Sequence, residues 1–159
     1  MTRTTDALII RSLSYSFGSR QVLHELSFSV RKGEFLSILG PNGSGKTTLL
    51  RTLYGWLDPG PDRVFVDGRD VTSYSRRDLA RAVAHVSQEN HAQAAFSVEE
   101  TVAMGRAPYL GFLAREGPRD REQVADALCL TDTVSLKNRS ITSLSGGELK
   151  RVMIASALA

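Results

Sequence analysis

The stretch GPNGSGKTT, residues 40–48, decides how this sequence is interpreted. It matches the pattern Gly-x-x-x-x-Gly-Lys-[Ser/Thr], in which glycines let the backbone bend back so that successive N–H groups point at one anion. The helix predicted directly after it adds about half a positive charge at its N-terminus. The pattern therefore predicts a phosphate-binding loop formed by Gly40, Pro41, Asn42, Gly43, Ser44, Gly45, Lys46, Thr47 and Thr48.

Two side chains of this loop carry specific chemistry. Lys46 is expected to reach the β- and γ-phosphates of a nucleoside triphosphate, and the Thr47 hydroxyl to hold Mg²⁺. The alternative is a glycine-rich turn that happens to precede a helix. The flanking sequence favours the phosphate loop, because the apolar run FLSIL (35–39) predicts a strand buried on both faces and residues 47–57 have helical spacing.

Composition sets wide limits on the function. The chain has 159 residues, 42% of them hydrophobic and 23% charged, which is ordinary for a globular domain. The net charge of +3 favours an anionic partner only weakly, and no basic patch interleaved with aromatic residues suggests nucleic acid. The single cysteine, Cys129, lies between two leucines and is predicted to be a buried thiol. No apolar run reaches the ~18 residues of a membrane helix, so any membrane role would require a partner subunit.

The order of the predicted elements indicates an α/β core with a helical insertion. Strands come first, then alternate with helices, and helices dominate from residue 89 onward. Ser75 is predicted to cap a short helix, while Ser97 and Glu100 form the pattern of a capping box. The predicted strands are ALIIRSLSYSF (7–17), VLHELSFSV (22–30), FLSIL (35–39), RVFVDG (63–68) and VAHVS (83–87).

A second motif, Leu144-Ser-Gly-Gly-Glu148, opens the amphipathic helix at the end of the sequence. Taken alone, it is an N-cap serine with two glycines that ease the turn. Together with the phosphate loop upstream, it makes the sequence resemble the ATP-binding subunits of ABC transporters. The resemblance implies that the Ser145 hydroxyl and the amides of Gly146 and Gly147 contact the γ-phosphate of an ATP held by the Lys46 loop of a second copy.

Further matches extend the resemblance over nearly the whole chain. Phe17 stands where the family places an aromatic ring against adenine, with Tyr15 as an alternative and core packing as the structural explanation. Gln88 follows the predicted strand 83–87 and matches the family glutamine that contacts Mg²⁺ and links the site to the helical subdomain. By resemblance, Lys46, Gln88 and Ser145 act in catalysis, and Thr47 and Gln88 contact the metal.

The segments 67–88 and 96–111 resemble importers of iron–siderophore, haem or cobalamin complexes. This resemblance implies ATP and Mg²⁺ as cofactors, a second ATP-binding subunit in a head-to-tail dimer, integral membrane permease subunits and, indirectly, a substrate-binding protein. The location would be the cytoplasmic face of the cell membrane, with no nucleic acid involved. Two alternatives are a soluble ABC-type ATPase that acts on DNA or ribosomes, and a truncated nucleotide-binding module without hydrolysis.

The implied fold is an α/β P-loop core with an N-terminal antiparallel β-subdomain and an inserted helical subdomain. We expect the β-subdomain and P-loop core over about residues 1–88, the helical subdomain over about 89–143, and the signature motif and its helix over 144–159. By resemblance, the family places its Mg²⁺-binding aspartate, its catalytic glutamate and further core strands after the signature helix. We therefore expect these 159 residues alone to bind ATP without the family's groups for hydrolysis, segments 35–39 and 83–87 to expose apolar faces, and the chain to be marginally stable.

Overall fold

The computed structural model describes residues 6–87, 95–111 and 116–159. The chain divides into two compact units, one that ends at Val83 and one that begins at Ala84. The strands are β1 (Asp6–Phe17), β2 (Arg20–Arg31), β3 (Val64–Val66) and β4 (Arg69–Asp70). The α-helices are α1 (Lys46–Leu53), α2 (Arg76–Ala82), α3 (Val98–Ala103), α4 (Pro118–Leu130) and α5 (Gly146–Leu158).

The first unit contains a four-stranded sheet in the order β2-β1-β3-β4, in which every neighbouring pair is antiparallel. β1 lies in the middle, so that Ile10 is paired with Phe28 on one side and with Val64 on the other. Apolar side chains on one face of this sheet pack against α1 and α2, because burying them removes apolar area from water. The buried residues of this core are Ile10, Leu13, Leu23, Leu49, Val64, Val66, Val71 and Leu79. The antiparallel N-terminal sheet predicted from the sequence is confirmed.

Two predicted strands are not formed. Residues 35–39 and 83–87 have no regular structure, and Phe35 and Leu39 are each 91% exposed. A strand exists only through hydrogen bonds to a neighbour, and no strand within the described ranges pairs with either segment. The prediction of a strand over 35–39 is therefore wrong. The prediction that its apolar side chains would be exposed is confirmed.

The second unit is helical. α3 and α4 both pack against α5 around a core composed of Val98, Val102, Val124, Ala127, Leu128, Leu136, Ile141, Val152, Ala155 and Ala159. A buried arginine links these elements: Arg106 Nε lies 3.1 Å from Asp120 Oδ1, and its guanidinium stacks 4.0 Å from the centre of the Tyr109 ring. The same guanidinium donates to the backbone carbonyl of Ala159. The three-part division predicted from the sequence stays a prediction.

The local signals for helix starts are confirmed, and one prediction of burial is wrong. Ser75 accepts the Asp78 N–H at the start of α2, and Ser97 forms a capping box with Glu100 at the start of α3. Cys129 is exposed rather than buried. Its position on α4 explains this, because the buried face of the helix passes through Val124, Ala127 and Leu128 and turns away at the next residue.

Candidate functional site

The loop over residues 40–48 precedes and opens helix α1 in the first unit. Its bend requires glycine at Gly45, which has a φ of 91° as the residue before the helix. A Cβ atom there would lie 2.9 Å from Leu23 Cδ2 and 3.1 Å from the backbone oxygen of Val22. The loop is therefore pressed against β2, and its start-of-helix geometry excludes larger residues.

Lys46 folds back over this loop. Its ammonium group donates to the carbonyl oxygens of Gly40 at 2.8 Å and Pro41 at 2.7 Å, and Ser44 Oγ lies at 3.4 Å. None of the ion pairs found among the described residues involves Lys46. The loop thus holds a positive charge on neutral backbone oxygens.

The N-terminus of α1 differs from those of the other described α-helices. Gly45 provides no side-chain cap, and the first turn of α1 contains no acidic residue. The amide groups that every helix leaves unsatisfied at its start therefore remain for another acceptor, at the positive end of the helix dipole. The other four helices each carry a carboxylate in the first turn, at Asp78, Glu100, Asp120 and Glu148.

Phe17 and Tyr15 differ in exposure. Phe17 ends β1 and is 49% exposed, whereas Tyr15 is half-buried and packs against the core of the first unit. The two rings meet edge to face with their centres 5.2 Å apart. Core packing therefore explains Tyr15 but not Phe17, whose ring has a free surface for a planar partner. The stacking role itself stays a prediction.

Ser145 begins helix α5 in the second unit, where it forms a capping box with Glu148. The Ser145 hydroxyl and the Ser145 amide each donate to Glu148 Oε2 at 2.7 Å, and the Glu148 amide points back to Ser145 Oγ at 3.4 Å. Glycines 146 and 147 form the first turn, and a Cβ added to either would meet no atom within 4 Å. The sequence already contained this signal, since Ser-x-x-Glu before an apolar run is the capping-box pattern.

Arg139 contacts both Glu148 and the Ser143 carbonyl, and no sequence motif indicated this role. One guanidinium nitrogen lies 3.5 Å from Glu148 Oε1, and the other donates to the Ser143 carbonyl at 2.9 Å. The pKa of Glu148 lies below its ordinary value of 4.5, chiefly because the Ser145 hydroxyl and amide donate to the carboxylate, with Arg139 and Arg151 adding attraction. Glu148 is therefore charged at neutral pH.

The predicted site residues fall into separate parts of the molecule. The phosphate loop and Phe17 belong to the first unit, while Ser145, Gly146 and Gly147 belong to the second. Gln88 lies outside the described residues. Directly before it, the carbonyl of Ser87 accepts a hydrogen bond of 3.0 Å from Lys150 on α5.

The second unit also has a groove of about 560 Å³ beside α3 and α4. Both apolar and charged side chains line it. Its lining includes Phe96, Met104, Leu110, Glu99, Glu116 and Arg121. Within the described part of the chain, no helix is both long and apolar enough to cross a membrane.

A glycine-rich loop leads into an uncapped helix that packs on one face of the sheet. This arrangement defines an α/β protein of the P-loop nucleotide-binding class. The family described as "ABC transporter" matches residues 23–159, and the chain belongs to it. The hemin import ATP-binding protein HmuV of Pseudomonas entomophila is 41% identical over 96% of this chain and 58% of its own length. HmuV of Thermobifida fusca is also 41% identical, over 100% of this chain and 55% of its own length. The ferric enterobactin transport ATP-binding protein FepC of Escherichia coli is 34% identical over 100% of this chain and 59% of its own.

Solved structures show the same fold. The cbiO1 protein of Clostridium perfringens, described as part of the ABC transporter complex cbiONQ, aligns with a TM-score of 0.82 at 30% identity over 97% of this chain and 61% of its own. The ADP conformation of MJ1267, an ATP-binding cassette of an ABC transporter, aligns with a TM-score of 0.81 at 28% identity over 98% of this chain and 65% of its own. The chain thus spans a little more than half the length of these relatives. The predicted family and fold class are confirmed.

Proposed function

We propose that the complete protein is the ATP-binding subunit of an ABC importer that couples ATP binding and hydrolysis to uptake of an iron–siderophore, haem or cobalamin complex. The observation that carries the proposal is the start of α1, where the helix has no side-chain cap and no acidic residue in its first turn, and the Lys46 ammonium binds backbone carbonyls. The names of the hemin and ferric enterobactin relatives support the cargo class.

The loop fits a nucleoside triphosphate with Mg²⁺. The unsatisfied amides at the start of α1 can donate hydrogen bonds to phosphate oxygens, and Lys46 can exchange its carbonyl partners for the β- and γ-phosphates. The exposed Thr47 stands in the first turn, where its hydroxyl oxygen can serve as a hard ligand for Mg²⁺, with Gln88 as a second oxygen ligand. Bound Mg²⁺ would neutralise charge on the phosphate oxygens. Phe17 offers its exposed ring to the adenine.

The signature helix supplies the other half of the site in this proposal. Gly146 and Gly147 form the first turn of α5, so their amide N–H groups lie at a helix N-terminus, as those at the start of α1 do. These amides and the Ser145 hydroxyl would contact the γ-phosphate of an ATP held by the Lys46 loop of a second copy. Two copies in a head-to-tail arrangement would then enclose two ATP molecules, and closure would depend on nucleotide.

We propose the groove beside α3 and α4 as the surface that meets the permease subunits. Its lining combines the exposed apolar residues Phe96 and Met104 with charged groups such as Glu99 and Arg121, which suits an amphipathic helix of a partner. Docking there would hold the protein at the cytoplasmic face of the membrane, and a substrate-binding protein would act indirectly through the permease. Docking at the groove would be coupled to the signature motif, because α3 packs directly on the signature helix α5.

The helical unit favours a transporter over a soluble ATPase that acts on DNA or ribosomes. The longest described helices, α4 and α5, have 13 residues each, and both belong to one compact core. No extended coiled coil interrupts the described part of the second unit. Such insertions are the feature by which we would expect the soluble class to differ.

A Lys46→Ala variant of the complete protein tests the proposal in membrane vesicles that hold the assembled transporter. Removing the charge should lower ATP affinity about ten- to a hundredfold, since hydrogen bonds to charged groups contribute about 1.5–3 kcal/mol each. ATP-driven uptake of labelled haem or ferric siderophore should be lost. Lys32→Ala is the matched control, because Lys32 forms an exposed ion pair with Asp67 at 2.8 Å. Uptake retained in the Lys46 variant would contradict the proposal.

A further inference from the structure

The signature serine is already engaged by its own helix. Both donors of Ser145, the hydroxyl and the amide, are directed to one oxygen of Glu148. A phosphate can accept the Ser145 hydroxyl proton only if Glu148 Oε2 gives it up. The site therefore contains a built-in competitor for the anion that it is proposed to bind.

Glu148 also places a negative charge where the proposed phosphate would bind. It stands in the first turn of α5, where a carboxylate takes up the positive end of the helix that a phosphate would use. The Glu148 carboxylate and a phosphate bound at this helix N-terminus would repel each other unless a cation lies beside them. The carboxylate thus helps the isolated helix to form and opposes the binding of ATP.

Arg139 lies on the far side of Glu148 from the serine. It approaches Oε1 at 3.5 Å, whereas Ser145 uses Oε2, so that the two partners hold opposite oxygens of one carboxylate. The guanidinium is fixed by its bond to the Ser143 carbonyl at 2.9 Å. This anchor holds the cation two residues ahead of Ser145, on the loop that leads into the helix.

We propose that Arg139 is a positioning residue of the signature site, which neutralises Glu148 and draws its carboxylate away from Ser145 when the phosphate of a second copy arrives. The inference rests on the function proposed above. Arg139 touches no nucleotide in this arrangement and acts through Glu148. Glu148 could then cap α5 while the N-terminus of α5 still binds a phosphate.

The experiment measures how much non-hydrolysable ATP analogue is needed for half-maximal dimerisation of the complete protein, by sedimentation at low and high salt. Arg139→Met should raise that concentration about two- to fivefold, the scale expected for an exposed ion pair. Arg139→Lys should restore most of the loss. Arg139→Gln retains a donor for the Ser143 carbonyl but has no charge, so it should behave like Arg139→Met. The effect should shrink at high salt.

Glu148→Gln provides the decisive second variant, because glutamine keeps an oxygen for Ser145 and removes the charge. Alone it should lower the required analogue concentration, and combined with Arg139→Met it should cancel the arginine defect. Lys137→Met, which removes an exposed cation two residues from Arg139, should change nothing. If Arg139→Gln behaves like wild type, or if Glu148→Gln fails to rescue Arg139→Met, Arg139 only braces the loop and the inference is wrong.

The wild-type protein separates this inference from the function beneath it. If the wild type binds the analogue but never dimerises with it, the proposed function fails and the inference with it. If the wild type dimerises and the arginine variants match it, only the inference fails. Binding of the analogue to the single subunit should be the same in all variants, since Arg139 and Glu148 belong to the other half of the site.

Discussion

At the scale of single residues, the proposed nucleobase site can be tested at Phe17 and its neighbour Tyr15. Phe17→Ala should weaken ATP binding about five- to 150-fold, because stacking of a base on an aromatic ring contributes about 1–3 kcal/mol, while the melting temperature should change little for a side chain that is 49% exposed. Tyr15→Leu should do the reverse, since its ring packs against the core. Isothermal titration with ATP and thermal melting of both variants would separate the roles. An equal loss of affinity in both would contradict the assignment to Phe17.

Residues whose role depends on nearby sequence could be predicted, and residues whose role depends on a turn could not. The lysine of the phosphate loop and the serine of the signature lie next to glycines at fixed spacing. Arg139 lies six positions before Ser145 and reaches Glu148 only because the 3₁₀ turn over residues 141–143 folds the loop back. Cys129 was misplaced for a similar reason, because flanking leucines do not reveal the phase of a helix.

At the scale of elements, three helices of the second unit begin with carboxylates whose pKa values are lowered. The main cause is the Ser97 amide for Glu100, the Gly117 amide for Asp120 and the Ser145 hydroxyl for Glu148. Because the folded pKa lies below the unfolded one, each carboxylate stabilises the fold fully above its ordinary value of 4.5 (Glu) or 3.8 (Asp), and this contribution is lost as pH falls through the folded pKa. The melting temperature of the helices, followed by circular dichroism, should therefore decrease as the pH falls below about 4.5.

The matched variants make this pH dependence specific. Glu100→Gln and Glu148→Gln together should lower the melting temperature at pH 7 and flatten its decline between about pH 5 and about pH 3. Glu122→Gln, in the middle of α4 and exposed, should leave the profile unchanged. An unchanged profile in the double variant would show that these caps do not control the acid stability of the second unit.

Elements with partners close in sequence were predictable, and elements with distant partners were not. β1 and β2 form a hairpin, so that each supplies the other's hydrogen bonds across a short turn, and both segments were predicted as strands. The apolar run 35–39 has the composition of a strand, but its hydrogen bonds would have to come from elsewhere. Composition can thus identify a segment that prefers burial without showing what covers it.

At the scale of the whole molecule, the exposed segment 35–39 should control the solubility of the 159-residue chain. Phe35 and Leu39 are each 91% exposed, next to unpaired backbone, which is a surface prone to self-association. Replacing both by serine should reduce light scattering and binding of an apolar dye, and the melting temperature should stay within a few degrees, because exposed side chains contribute little to stability. A wild-type chain that stays monomeric and binds no dye would contradict this.

The same pair of substitutions should behave differently in the complete protein. The chain covers only 58% and 55% of two curated relatives, so those relatives contain further residues that could pair with 35–39. If the complete protein buries Phe35 and Leu39, their replacement should cost about 2–5 kcal/mol for each site, as large-to-small core substitutions do. The phosphate loop begins at Gly40, immediately after Leu39, so ATP affinity should fall together with stability. Chemical unfolding and ATP titration of the doubly substituted complete protein would measure both losses, and undiminished stability would show that the segment stays uncovered there.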